Sequence, residues 1–364
     1  MQLTQLAISH FRNLETVKLE PAAGINIIGG ENGSGKTSIL EAIYSLGFGR
    51  SFRTHQSRQV VQDDKDAFTL FARVQSSSAV DEEALKVGFR RQRNGDTEIR
   101  INGENERKFS ALAKLMPVQL ITPEGVSLVT EGPKLRRQFM DWGLFHVEQS
   151  YYSNWLTFSR LLKQRNALLK QRVYDSQGGS LWDQQLAAAG EAVTNARRSY
   201  LDGLNSQLNR YCQTFLPQYE FEFKLQQGWF ESVELLEALR DKLELDKRQG
   251  FTSVGPNKAE WQIRADGIDA RERLSRGQLK LLVAALRLVQ SADYYSHRGE
   301  PCVILVDDLP AELDSENQQK FCEALVQSGS QVFVTAIHQE ELKSRFQNTE
   351  ARLFHVEQGT IKND

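Results

Sequence analysis

The chain has 364 residues, enough for about two domains at roughly 150 residues each. Charged residues make up 25% and apolar residues 40%, close to the globular average, which excludes wholesale disorder and fibrous repeats. Lys plus Arg number 45 and Asp plus Glu 47, so the net charge is −2 and an anionic partner must be held by a local basic surface.

Cys212, Cys302 and Cys322 are odd in number and widely spaced, which excludes a disulfide framework or a paired-cysteine metal site and points to a reducing cytoplasm. The opening residues MQLTQLAISHFRN carry no basic stretch followed by an apolar one. No apolar run reaches the ~18 residues of a membrane span, so a chain neither exported nor embedded in a membrane is expected.

Short strands are predicted at Leu3–Ile8, Val17–Leu19 and Ile25–Ile28, the last running into a glycine-rich turn. Ile39, Ile43 and Leu46 then fall at i, i+4 and i+7, the apolar face of a helix packed on a sheet. Between Phe68 and Ile101 the period becomes two. Leu85, Val87 and Phe89 alternate with Lys86, Gly88 and Arg90, and Asn94-Gly95 and Asn102-Gly103 punctuate an antiparallel meander.

From Gly132-Pro133 the pattern turns helical, with Trp155, Phe158, Leu162 and Leu169 on one face. A second stripe runs from Trp182 through Leu186, Val193, Tyr200 and Leu208 to Phe215, a helix of roughly 50 Å at 1.5 Å per residue. Gln177-Gly178-Gly179-Ser180 is the expected turn between the two, giving a projecting helical lobe centred on an αα-hairpin. Strands return at Tyr219–Leu225, Trp261–Ile263, Val303–Val306 and Val332–Thr335.

Gly30-Glu31-Asn32-Gly33-Ser34-Gly35-Lys36-Thr37 matches the phosphate-binding loop G-x-x-x-x-G-K-[ST], between an apolar strand and an amphipathic helix as that motif requires. Its glycines let backbone N–H groups converge on phosphates, helped by the helix dipole. Lys36 is expected to reach the β and γ phosphates of ATP, and the Thr37 hydroxyl to ligate Mg²⁺.

Leu274-Ser275-Arg276-Gly277-Gln278 precedes an amphipathic helix. Ser275 is a good N-cap, and Gly277 lets an anion approach the first-turn N–H groups. Cys302 to Val306 is a buried strand emptying into Asp307 and Asp308. Asp307 is expected on the metal and Asp308 on the attacking water. A glycine-rich turn, a capped helix and an acidic loop are the bland readings of these three segments taken one at a time; their order along one chain favours an ATP site.

Together these elements resemble the ABC-type ATPase heads of the SMC class, with LSRGQ as signature motif, VILVDD as Walker B, and Ala311-Glu312-Leu313-Asp314 as D-loop. The whole chain further resembles the RecF family of bacterial DNA recombination and repair proteins. Its marks are Phe11-Arg12-Asn13, Gly49-Arg50-Ser51-Phe52-Arg53, Thr122-Pro123-Glu124, the block Gly132-Pro133 to Asp141, and Val254-Gly255-Pro256.

The resemblance implies an α/β fold, an ABC/SMC-type P-loop ATPase head with mixed β-sheets and an inserted helical lobe. Its parts would be a head segment at 1–124, the lobe at 125–250 and a second head segment at 251–364. Ser38, Arg12 and Asn13 would join the loop at the nucleotide. Ser275, Arg276, Gly277 and Gln278 would contact the ATP held by a second copy, and Asp314 would belong to the D-loop. Catalysis would rest on Lys36, Asp308 and Ser275, with Mg²⁺ on Thr37 and Asp307.

The implied activity is slow, DNA-stimulated ATP hydrolysis by an ATP-dependent homodimer. It would recognise gapped or junction DNA and help RecO and RecR bring recombinase to single-stranded gaps, in gap repair, replication restart and the SOS response at the nucleoid.

Arg276 stands where the general ABC pattern has Gly, and Asp308 where it has Glu. Ala336 occupies the natural place of a switch histidine, with His338 two residues on, and Gln119 falls on a predicted strand instead of a Q-loop. A transporter's ATPase subunit is the alternative reading. The helical insertion and these missing elements argue against it, and the length leaves no room for a long SMC coiled coil.

Residues 133–212 contain eleven Lys/Arg against six Asp/Glu, net +5. Arg160, Lys163, Arg165, Lys170 and Arg172 cluster on one helical stretch, a candidate DNA-phosphate surface or a solvated helix face.

Overall fold

A computed structural model describes residues 1–364 except 77–82, 173, 175, 309–311, 347–348 and 363–364, with backbone alone at 176–180. The chain forms two compact units. One comprises Met1–Gly125 and Lys280–Asp364, the other Val126–Leu279. Residues 251–279, which the sequence reading groups with the head, therefore cluster with the helical unit.

The first unit opens with strands β1 (Gln2–Phe11), β2 (Leu14–Leu19) and β3 (Ile25–Gly29), then helix α1 (Lys36–Phe48). Strands β4 (Ala67–Gln75), β5 (Leu85–Gln92), β6 (Thr97–Ile101) and β7 (Glu104–Glu106) follow, then α2 (Phe109–Leu115) and β8 (Val118–Ile121). The second unit begins with α3 (Ser127–Thr130), α4 (Pro133–Val147), α5 (Tyr151–Gln171) and α6 (Ser176–Phe215). It continues with β9 (Phe221–Gln226), α7 (Leu235–Asp241), α8 (Leu243–Gln249), β10 (Glu260–Ala265), β11 (Ile268–Asp269) and α9 (Ala270–Arg273). Helix α10 (Arg276–Arg298) starts in the second unit and returns the chain to the first. There β12 (Val303–Val306), α11 (Ser315–Gln327), β13 (Gln331–Ala336), α12 (Gln339–Arg345), β14 (Ala351–Glu357) and β15 (Thr360–Lys362) complete the fold.

Two six-stranded sheets build the first unit. The antiparallel one runs β2-β1-β4-β5-β6-β7, and its strands alternate: Phe68, Leu70, Ala72 and Val74 of β4 are buried on one face. Asn102 (φ 52°) and Gly103 (φ 89°) make the left-handed turn between β6 and β7 that the Asn-Gly pair predicts. The other sheet runs β15-β14-β3-β13-β12-β8, parallel except for β15. Its central strands β3, β12 and β13 are buried along their whole length, as parallel strands covered on both faces must be.

Helix α1 contributes Ile39, Leu40, Ile43 and Leu46 to one core shared with Leu70 and Phe89 of the first sheet and Leu305 and Phe333 of the second. Pairing of Val306 with Val334 and of Thr335 with Ile28 aligns the carboxyl ends of β12, β13 and β3 at a single sheet edge. Ligands of parallel α/β sheets bind at that edge.

In the second unit α5 and α6 form the expected hairpin, but its reversal comes earlier than the sequence suggests. Gln177–Ser180 are already helical in α6, and α5 ends at Arg172, which takes the left-handed conformation (φ 58°). Leu161, not Leu162, joins Phe158 and Leu169 on the buried face, and Trp182 is 45% exposed. The turn of that face brings in a cation. Arg165 is 2% exposed and bonds Asp183 Oδ1 at 2.9 Å and Asp246 Oδ2 at 2.7 Å. The three-stranded sheet β11-β10-β9 places Trp261 against Phe139, the rings stacked at 5.1 Å. Among the described residues no helix is long and apolar enough to cross a membrane.

Candidate functional site

The loop between β3 and α1 is closed by its own lysine. Lys36, 4% exposed, donates from Nζ to the carbonyls of Gly30 (2.8 Å) and Glu31 (3.0 Å), so the cradle is shaped before a ligand arrives. Gly30 (φ 149°) and Gly35 (φ 121°) take conformations closed to other residues. A Cβ on Gly30 would stand 2.3 Å from the Val356 carbonyl oxygen, and one on Gly35 would stand 2.8 Å from Leu14 Cδ2. Glu31, Asn32 and Gly33 are exposed at the loop tip. Ser34 Oγ is buried with no hydrogen-bond partner among the described residues, a donor left for an anion in the cradle.

Across the sheet edge, Thr37 Oγ1 donates to Asp307 Oδ1 at 3.0 Å. Thr335, the one polar residue of the run Val332 to Thr335, has its hydroxyl 3.0 Å from Asp307 Oδ1 and 2.9 Å from Asp308 Oδ1, and accepts the Asp308 N–H at 2.8 Å. This hydroxyl orients both acids, and Asp308 turns into the left-handed region (φ 47°). Burial pushes the Asp307 carboxyl above the ordinary aspartate range; hydrogen bonds from Thr335 and Thr37 oppose that, and the Asp308 and Glu124 charges add to it.

A hydroxyl and a carboxylate side by side form a hard-oxygen donor set, which suits Mg²⁺ held with substrate phosphates better than an all-protein cage. Consistently, no group of three His, Cys, Asp or Glu side chains among the described residues could hold a metal alone.

Arg12 and Asn13 lie beside the loop. Asn13 Nδ2 donates to the Gly33 carbonyl at 3.2 Å, and its Oδ1 accepts from Ser38 Oγ at 2.8 Å. Arg12, in the left-handed region at φ 56°, bonds Glu41 through Nε (3.0 Å) and Nη2 (2.7 Å), and the Gln59 carbonyl through Nη1 (2.5 Å). Glu41 is fully buried, receives the Ser51 hydroxyl, and pairs with Arg53 at 3.7 Å. Sequence reasoning passed over Glu41 and Thr335; the available signals were an acid on the buried face of α1 and a hydroxyl at the end of an apolar strand. The resulting cleft of about 840 Å³ is lined by Arg12, Lys36, Thr37, Arg53, Arg58 and Asp308 among others, a cation-rich wall fit for a triphosphate.

The signature segment lies in the other unit and is described by itself. Ser275 and Gln278 close the start of α10 reciprocally. Ser275 N–H donates to Gln278 Oε1 at 2.9 Å, and Gln278 N–H reaches Ser275 Oγ at 3.4 Å. Ser275, Arg276 and Gly277 are exposed, and a Cβ on Gly277 would meet nothing within 4 Å. The helix start is therefore open to an incoming anion. Asp314 caps α11, accepting from Asn317 N–H at 3.0 Å; Ala311 of the same motif lies outside the described residues.

Three expectations are corrected or resolved by geometry. Arg165 does not belong to a DNA surface, because it is buried between two aspartates, whereas Arg160, Lys163, Lys170 and Arg172 are exposed. Gln119, 1% exposed on β8, bonds Gln290 at 3.0 Å and Arg287 at 3.3 Å, which makes it a core amide. His338 is exposed at the start of α12.

The RecF/RecN/SMC N terminal domain family matches residues 2–362. The DNA replication and repair protein RecF of Shewanella woodyi is 44% identical over 361 residues, covering 99% of this chain and 98% of that one. RecF of Idiomarina loihiensis is 47% identical over 361 residues, covering 99% of both chains. The solved structure of the recombination mediator protein RecF with ATP in the RecFOR pathway matches with a TM-score of 0.86 at 27% identity, covering 99% of this chain and 96% of that one. An Smc head bound to the C-winged helix domain of ScpA shares the fold, with a TM-score of 0.61 at 15% identity over 100% of this chain and 96% of that one. A phosphate cradle, acids at the adjoining strand end and an open serine-capped helix, in a chain matched end to end, place this protein in the RecF family of DNA replication and repair proteins, within the RecF/RecN/SMC class of ATP-binding heads.

Proposed function

We propose that the chain is an ATP-gated DNA-binding ATPase that dimerises on ATP, recognises gapped or single-strand/double-strand junction DNA, and works with RecO and RecR to load recombinase in gap repair. The observation that carries this reading is the joining of Lys36, Thr37 and Asp307 at one sheet edge under an open, cation-lined cleft. The solved relative carrying ATP and the pathway named with it support the nucleotide and the partners.

In this reading the loop N–H groups and Lys36 hold the β and γ phosphates, with Arg12 beside the nucleotide. Thr37 and Asp307 hold Mg²⁺, which when bound offsets charge on the phosphate oxygens. Asp308, fixed by Thr335, orients the attacking water and accepts its proton. Its side chain is one methylene shorter than glutamate, so turnover is slow. Ser275 and the first-turn N–H groups of α10 from a second copy cap the γ-phosphate. Hydrolysis removes that contact, and a ligand that binds only the dimer shifts association by mass action. The protein would act in the cytoplasm at the nucleoid.

Phosphate release measured with and without gapped duplex tests the reading, with Lys36→Met as control. DNA-stimulated release that the variant lacks is the expected result; no release above the variant's level would refute the ATPase.

A further inference from the structure

Two helix ends meet in the second unit and leave a basic cleft. The Arg172 N–H closes the end of α5 on the carbonyls of Leu168 and Leu169, and the Gly250 N–H closes the end of α8 on the Asp246 carbonyl. A Cβ on Gly250 would lie 3.6 Å from Lys170 Cα, so the two ends are in contact. Helix carboxyl ends brought together concentrate partial negative charge, which one or two cations would offset. Main-chain N–H groups already cap both ends, yet Lys170, Arg172, Lys247 and Arg248 bring four positive charges.

Between them opens a cleft of about 520 Å³ lined, among the described residues, by Leu169, Arg172, Tyr174, Lys247 and Arg248, three of them cations. Lys247 shares Glu244 at 2.9 Å on the surface. Arg248 uses Nε on the Glu244 carbonyl at 3.2 Å, which leaves its terminal nitrogens for a ligand, and Arg172 has no ion pair among the described residues. Tyr174 turns its hydroxyl inward to Asp183 at 2.6 Å. Behind its ring, 5.4 Å from the centroid, lies the buried Arg165 guanidinium, whose Nη2 has no partner among the described residues.

The positive charge continues past the cleft. Exposed Lys170, Lys163 and Arg160 follow one face of α5 over roughly 15 Å at 1.5 Å per residue. A row of that length fits a linear polyanion better than an isolated phosphate, since duplex DNA carries a charge every ~1.7 Å along its axis.

We propose that this cleft holds a backbone phosphate of DNA through Arg172 and Arg248, with Lys247 at its rim and the strand running along α5. The proposal rests on the reading of the chain as a DNA-binding protein and names where on the helical unit one phosphate sits.

The test is fluorescence anisotropy of the full chain with a labelled duplex between about 50 and 200 mM salt. Arg172→Ala/Arg248→Ala should lower the slope of log affinity against log salt by about 1 and weaken binding roughly tenfold at the upper salt, because each phosphate contact releases about one counterion. Lys18→Ala, an exposed cation on β2, should leave both unchanged. An unchanged slope in a folded double variant, with wild type binding normally, overturns the cleft but not DNA binding. Failure of the wild type to bind duplex overturns both. Should the double variant lose binding of inorganic phosphate while its affinity and salt slope for duplex stay those of the wild type, the cleft is a free-phosphate site and the proposal falls.

Discussion

Thr37 Oγ1 and Asp307 Oδ1 stand 3.0 Å apart although 270 residues separate them in the chain. The contact joins the first turn of α1 to the end of β12, and its two oxygens are the donor pair proposed for Mg²⁺. Thr37→Val keeps the shape and removes the oxygen. Steady-state hydrolysis should fall on the order of a hundredfold. Binding of ATP without metal, followed by fluorescence of a labelled nucleotide, should change little. Equal loss of both would show that the hydroxyl serves the loop's structure and not the metal.

Gly30→Ala tests the cradle through its backbone. The new methyl would meet a main-chain oxygen at 2.3 Å, and the φ of 149° is strained for alanine, so neither neighbour nor backbone yields without deforming the loop. Nucleotide affinity by calorimetry should drop at least tenfold, with a Tm loss corresponding to about 1–3 kcal/mol.

Arg165 and its exposed neighbours should separate stability from DNA binding. Arg165→Met strands Asp183 and Asp246, 4% and 0% exposed, without their cation, at a cost of about 3–5 kcal/mol in denaturant unfolding. Arg160→Ala/Lys163→Ala should leave that transition in place and weaken DNA binding instead.

The same contrast shows what was legible in the sequence. Strands β3, β12 and β13, α1 and the phosphate loop were readable because each depends on local periodicity or on fixed spacing, whereas β14, equally part of the parallel sheet, was not read. The face of α5 was read one residue off. Hydrophobicity alone could not see that a buried arginine, satisfied by residues 18 and 81 positions away, occupies the inward stripe. Glu41 and Thr335 were missed for a related reason. Each acts on partners distant in the chain, Arg12 and the two aspartates, and a lone acid or hydroxyl carries no local pattern.

Asp293 gives a pH test away from the nucleotide. It is 5% exposed, its Oδ2 has no hydrogen-bond partner among the described residues, and burial raises its pKa, with His297 at 3.4 Å pulling the other way. A raised carboxyl means the folded chain holds a proton that the unfolded chain has released. Asp293's contribution is therefore fully present below the ordinary aspartate range and is lost as pH rises through the folded value. Asp293→Asn should stabilise the protein at pH 8 by about 1–3 kcal/mol and by less at pH 4. Thermal unfolding of both chains across that range checks the sign; a variant less stable at pH 8 would be the wrong one.

Sedimentation velocity across a concentration series, with ATP, with ADP and without nucleotide, bears most directly on the claim that a triphosphate joins two copies through Ser275. The wild type should sediment as a dimer with ATP alone, and Ser275→Arg should bind ATP yet remain a monomer. A wild type that stays monomeric with ATP at every concentration, or a Ser275→Arg chain that dimerises normally, would contradict the account.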